Sequence, residues 1–132
     1  MATVIDQWHE LMASGDAATV EKGLDKLLAD DATFHSPVVH TPQEGKAITK
    51  MYLMGALHVL GSQQFRYLRE VVGDNLAVLE FQAEAEGIQI NGVDMIEWND
   101  EGKIVDFKVM VRPLKAINTL HRLMGEMLEK LK

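Results

Sequence analysis

The chain of 132 residues contains no cysteine. Disulfides, thiolate nucleophiles and cysteine-ligated metals are therefore excluded, and the composition suits a reducing compartment. No apolar run reaches the roughly 18–20 residues of a membrane span. The opening stretch, MATVIDQWHE, has no basic segment ahead of an apolar core, so no secretory leader is expected and the cytoplasm is the expected location. Positive charge is scarce: 13 Lys and Arg face 20 Asp and Glu, for a net charge of −7. The basic residues are dispersed, so a phosphate backbone would be repelled and nucleic acid is not an expected partner. No two of the five histidines have the i, i+4 spacing of a helical metal site, and HELMA at His9 lacks the second histidine of a zinc-protease motif. Walker-type phosphate loops and Gly-x-Ser-x-Gly nucleophile elbows are missing as well. Nothing in the sequence calls for a cofactor or a metal.

What is present is the balance of a globular protein, with 47% hydrophobic and 25% charged residues, and a length that suits one domain over 1–132. Val4, Ile5, Trp8, Leu11 and Met12 recur at helical spacing, and Gly15 ends that pattern. Asp16 is placed to cap a second helix with Val20, Leu24, Leu27 and Leu28 on its inner stripe, weakened at Gly23. ATFHSPV reads as a short strand ended by Pro37, and VVHTPQEG as a loop. Ile48, Met51, Tyr52, Ala56 and Val59 form the stripe of a third helix closed by Gly61. The period then changes from 3.6 to 2. Strands are expected over 64–72, 76–86, 88–98 and 104–112, joined by short turns into an antiparallel meander, with an ambiguous connection near Gly87. Pro113 opens a last helix with a wide apolar arc, from Leu114 and Ile117 to Leu128 and Leu131. Helices first and sheet afterwards make an α+β domain.

Alternation sorts the strand faces. Ala77, Leu79, Phe81 and Ala83 share one inner face, Ile88, Ile90, Asp94, Ile96 and Trp98 the next, and Val105, Phe107, Val109 and Val111 the last. The opposite faces mix Glu80, Gln82 and Glu84 with Val93, Met95 and Glu97, and with Asp106, Lys108, Met110 and Arg112. They read either as a solvated sheet face or as a dimer interface centred on Val93, Met95 and Met110.

Asp94 is the anomaly, a carboxylate on a strand face that should be dry. Burial there raises a carboxyl pKa, so the group is neutral or partnered. Two readings stand: a ligand-facing acid, or a structural Asp satisfied by the Trp8 indole, a helix N-terminus or a tyrosine hydroxyl. Trp8 and Trp98 are read as core or pocket wall. Tyr52 lies on an inner stripe, where its hydroxyl needs a partner. His35, next to Ser36, points to the outer face by alternation.

Three segments taken together carry a resemblance. SGD closes the Trp8 helix; LADDATFHSPV precedes the Gly-led helix EGKAITKMY; NGVDMIEWNDEGKIVDFKVMVRP follows. In this order the chain resembles the nuclear transport factor 2-like superfamily, in its SnoaL-like and ketosteroid isomerase-like branch. The resemblance implies a cystatin-like cone: a curved antiparallel sheet wrapped around N-terminal helices, here with a C-terminal helix, enclosing a pocket and dimerising through the outer sheet face. It puts Asp94 where the isomerases hold a carboxylic acid, kept neutral by apolar surroundings, that donates to the substrate oxyanion. Trp8 stands at their oxyanion tyrosine and Ser36 at their general-base aspartate. A serine without an activating base cannot shuttle a proton between carbons at neutral pH, which argues against ketosteroid isomerisation itself. The expectation is a homodimer that holds a small hydrophobic molecule against Asp94, with Trp8, Ser36, Tyr52, Phe81, Ile96, Trp98 and Phe107 around it. If enzymatic, it is isomerase- or cyclase-like. The alternative is a non-catalytic interaction module with a self-filled interior.

Overall fold

A computed structural model of the chain describes residues 3–60 and 65–131. Helix α1, Val4–Ala13, opens behind Thr3, whose hydroxyl accepts from the Asp6 amide while the Asp6 carboxylate accepts from the Thr3 amide. Asp16 caps α2, Ala17–Leu27, by accepting from the Thr19 amide. Strand β1, Leu28–His35, follows with no linker, so Leu28 is the first strand residue and not part of the helical stripe. The stretch expected to be loop holds a two-residue strand, β2 (Gln43–Glu44), paired with Phe34 and Thr33.

Helix α3 spans Lys46–Leu60. Gly61, expected to close it, lies outside the described residues, as does Gln64, the expected start of the next strand. Its buried positions are Thr49, Tyr52, Leu53, Gly55 and Leu60, which share only Tyr52 with the expected stripe. The helix is apolar on most sides and packs against β1, α2 and the last helix, so periodicity alone does not select a face. Strands β3 (Arg66–Val72), β4 (Leu76–Ala85), β5 (Ile88–Trp98) and β6 (Ile104–Arg112) form the expected antiparallel meander. The ambiguous connection is a two-residue turn, Glu86 at φ 51 and Gly87 at φ 78. Two positive φ values in succession match the right-handed twist of the flanking strands. Helix α4, Leu114–Leu131, follows Pro113, whose carbonyl accepts from the Ile117 amide.

The sheet is curved and open, in the order β2-β1-β6-β5-β4-β3. One pairing is not antiparallel: β1 runs parallel to β6, with Phe34 opposite Phe107. The chain between them, through β2, α3 and the meander β3–β5, is long enough to supply the crossover that a parallel pair needs. Trp8, Leu24, Leu28, Phe34, Tyr52, Leu79, Ile96, Ile104 and Phe107 belong to one buried cluster. Leu60, Phe81, Ala83, Ile90, Ala116 and Leu120 belong to a second, under α4.

Two bulges change which residues face inward. Between β5 and β6 the register slips so that Trp98 pairs with Ile104 and Glu97 with Asp106. Ile104, fully buried, therefore takes the inner position assigned by alternation to Val105. Between β3 and β4 the slip falls between Tyr67 and Arg69, which turns Tyr67 inward opposite Phe81.

Gly92 has no room for a side chain. A β-carbon there would stand 2.6 Å from the Met110 carbonyl oxygen and 2.6 Å from Cζ of Phe81. The first contact is with backbone, so the strands would have to part. Gly92→Ala is expected to lower stability by roughly 1–3 kcal/mol, read as a reduced urea midpoint with an unchanged slope. An unaltered midpoint would show that the β5–β6 ladder yields without cost.

Candidate functional site

Asp94 is fixed by register: it lies in mid-strand, opposite Leu79 on β4 and Val109 on β6, and the residue is 7% exposed. Tyr67 of β3 donates its hydroxyl hydrogen to Asp94 Oδ2 at 2.8 Å. The Trp8 indole N–H of α1 donates in turn to the Tyr67 oxygen at 2.9 Å. Tyr67 is braced edge-on by His9 and by Phe65, each with ring centroids 5.1 Å away. His9 bonds Glu70 at 2.7 Å and so ties α1 to β3 a second time.

The polar chain opens on a hollow of about 600 Å³. It lies where the two buried clusters meet, with Trp8, Leu53 and Phe107 contributed by one and Leu60 and Phe81 by the other. Asp94 and Tyr67 are polar points in a mostly apolar lining, and the exposed residues Gly15, Ala17 and His58 mark the side nearest solvent. Asp94 Oδ1 takes no hydrogen bond among the described residues, yet it is not a sealed, unsatisfied atom, so it keeps access to the hollow.

Burial pushes the Asp94 carboxyl up to about 7, against a smaller downward pull from the Tyr67 hydrogen bond. The Tyr67 phenol is held well above its usual range, first by burial and then by the negative charge on Asp94. The pair is thus arranged so that Tyr67 keeps its proton and Asp94 can take or release one near neutrality.

Of the eight residues expected around a ligand, the structure brings Asp94, Trp8, Phe81 and Phe107 to the hollow. The other four lie elsewhere. Ser36 sits past the end of β1, in an open groove with His35, His40, Lys108 and Met110, and its hydroxyl accepts from the Val38 amide. Tyr52 is buried against Phe34, ring centroids 5.1 Å apart, beneath the hollow's wall. Ile96 is sealed between Ala77 and Phe107 in the sheet register. Trp98 lies at the end of β5 beside Ile104. Sharing a strand face with Asp94 therefore does not bring a residue to the hollow, because the sheet is curved. His35 does face outward, bonding Asp106 at 2.8 Å.

Tyr67 is the residue that sequence reasoning missed. Strict alternation back from Val72 and Glu70 puts Leu68 and Arg66 inside and Tyr67 outside. The bulge reverses this. The available signal was chemical: a buried Asp needs a donor, and a tyrosine hydroxyl was among the partners considered.

A curved open sheet around helices, with a hollow between them, defines a cone of the nuclear transport factor 2-like class. The chain belongs to the SnoaL-like domain family, whose profile matches residues 5–107. Among solved structures it is similar to a steroid delta-isomerase from Pseudomonas aeruginosa, at 35% identity over 97% of this chain and 90% of that one, with TM-score 0.87. It is also similar to an uncharacterised protein with a cystatin-like fold from Silicibacter pomeroyi, at 31% identity over 96% and 85% of the two chains, TM-score 0.83. The epoxide hydrolase/cyclase-like enzyme SalBIII shares the fold at 18% identity over 84% and 88%, TM-score 0.61. No curated protein sequence matches the chain.

The Asp94 shift has a sign that can be measured. The folded chain holds this proton more tightly than the unfolded one, so native Asp94 binds more protons between the ordinary value of 3.8 and about 7. Its contribution to stability is present below that window and is lost as pH rises through it, by at most about 1.4 kcal/mol per pH unit. Denaturation of the wild type and of Asp94→Asn across pH 4–8 should show a difference in slope confined to that window. Parallel profiles would mean that Asp94 ionises normally.

Proposed function

We propose that the protein binds a small hydrophobic molecule in the hollow of the cone and that Asp94 holds an oxygen of that molecule as an acid or hydrogen-bond donor. The observation that carries this reading is the division of the carboxyl: Oδ2 is taken up by Tyr67, and Oδ1 keeps access to an apolar hollow of about 600 Å³. A protonated carboxyl held in this way presents its hydrogen from Oδ1 to a carbonyl, phenol or hydroxyl oxygen. The apolar walls strengthen that bond and make an uncompensated partner costly. The hollow is in the size range of small-molecule sites.

If the protein is an enzyme, the chemistry is an isomerase- or cyclase-like proton transfer, which needs no cofactor. The similarity to a steroid delta-isomerase supports a ligand with an oxygen at one end of an apolar body. Isomerisation through a base at the Ser36 position is not part of the reading, because Ser36 lies outside the hollow. The alternative of a non-catalytic module with a self-filled interior has the hollow against it. We also infer that the working form is a cytoplasmic homodimer joined through the outer sheet face. Val93 pairs with Met110 there, and Met110 and Val71 are 48% and 73% exposed. No described helix is long and apolar enough to cross a membrane.

Two measurements test these readings. Wild-type protein should bind 2-naphthol more tightly than naphthalene, and Asp94→Leu should shrink that preference by roughly tenfold or more. Equal affinities in the wild type, or binding of neither probe, would refute a role for Asp94 in holding a ligand. Separately, Met110→Asp should convert a dimer to a monomer in light scattering; a dimer that persists in the variant places the contact elsewhere.

A further inference from the structure

Among the described residues the half-buried lysines are Lys46, Lys50, Lys103 and Lys108. The first three have an oxygen partner. Lys46 pairs with Asp30, Lys50 with Asp25 and Glu21, and Lys103 donates to the Lys26 carbonyl. Lys108 has no hydrogen-bond or ion-pair partner among the described residues. Its neighbours across the sheet are His35 on β1 and Met95 on β5, and neither is an acid. Asp106, two residues earlier on the same face of β6, is taken up by His35 at 2.8 Å. A half-buried ammonium without a counter-charge has lost hydration that nothing offsets. In a chain of net charge −7 that is out of place.

Lys108 lines the open groove of about 490 Å³ past the end of β1. The polar groups there are donors. The Ser36 oxygen accepts from the Val38 amide, which leaves the hydroxyl hydrogen to donate. His40 is exposed and has no partner among the described residues. His35 bonds Asp106 through Nε2 and keeps Nδ1. Among the described residues no carboxylate lines the groove, and Pro37, Val39 and Pro42 of the loop between β1 and β2 give it an apolar wall opposite Val109 and Val111. Its volume is in the range of small-molecule sites. It is not part of the hollow: the two linings share Val109, but Asp94 and Tyr67 belong to the hollow alone.

We propose that this groove is a second binding site, for a small hydrophobic carboxylate, with Lys108 as counter-charge and Ser36 as hydrogen-bond donor. The inference does not depend on the ligand reading of the hollow. One carboxylate oxygen accepts from Nζ of Lys108 and the Ser36 hydroxyl donates to the head group, while the apolar body lies against Val39 and Val109. A carboxylate is favoured over an amide or alcohol of the same shape, because a hydrogen bond between ionised groups is about twice as strong as one between neutral groups. Met110 lines the groove and also belongs to the sheet face read above as the dimer contact, so a carboxylate of a second copy is the competing occupant.

The test compares 2-naphthoate with its neutral analogue 2-naphthamide by equilibrium dialysis at pH 7.5. The wild type should hold 2-naphthoate roughly tenfold more tightly or better, and added salt should narrow the gap. Lys108→Gln should abolish the preference while keeping 2-naphthamide affinity within a few-fold, and Lys108→Arg should retain it. Amide NMR shifts on titration should centre on Ser36, Val39 and Lys108. Equal affinities for the two probes in the wild type, or no binding of 2-naphthoate, overturn the proposal without recourse to a variant. A preference that survives Lys108→Gln overturns it as well, and so do shifts centred on Asp94 and Tyr67, which place the anion in the hollow. A dimer that weakens in Lys108→Gln by light scattering, with no 2-naphthoate bound by the wild type, assigns the lysine to a second copy instead.

Discussion

A carboxyl group on a dry strand face organises this molecule. Asp94 loses its water when β5 is covered, and an ionised carboxylate in that position without a partner would cost several kcal/mol. The hydrogen bond from Tyr67 and the one from Trp8 behind it resolve the problem while joining three elements distant in sequence. Helix α1 is held on β3, and β3, an edge strand of the sheet, is held to β5 across β4. The His9–Glu70 contact fastens the same two elements at the surface, but it is exposed and contributes little by comparison. Among the described residues no buried side-chain N or O atom is left without a partner, so the polar chain is closed except where Asp94 borders the hollow.

That exception gives the site its chemistry. Aromatic side chains frame the space: Phe65 stacks on Phe81, and Trp8 tilts against Phe107. Their apolar surroundings raise the Asp94 pKa, and the Tyr67 bond stops the carboxyl from drifting further into neutrality. Folds of this class host unrelated activities, so the cone itself does not specify one; the side chains placed in its hollow do. Tyr67 reaches Asp94 from β3, and the Trp8 indole supports its hydroxyl.

The fold was largely legible. Period-2 patterning located the meander strands, Asp16 and Pro113 marked helix starts, and three quoted segments carried the family resemblance. The parallel β1–β6 pair and the two-residue β2 were not legible. The β1–β6 pair joins strands far apart in sequence, which no local pattern announces, and so short a strand as β2 leaves no periodic signal. On α3 the difficulty was excess: with apolar residues on most sides, Thr49, Leu53 and Gly55 were chosen for burial by what packs around the helix.

The sequence by itself determined that Asp94 faces inward among apolar residues, because alternation along β5 runs uninterrupted from Ile88 to Glu97. It therefore determined that an unusual acid exists. Only the tertiary structure decided what the acid touches. Tyr67 and Ile104 reach the interior because one extra residue in a strand turns every side chain before it to the other face, and the position of that residue is set by the partner strand's register. Trp8 and His58 approach the same hollow through the docking of two helices, which depends on packing across the whole cone. Local patterning specifies a face; only the closed assembly specifies which groups share a space.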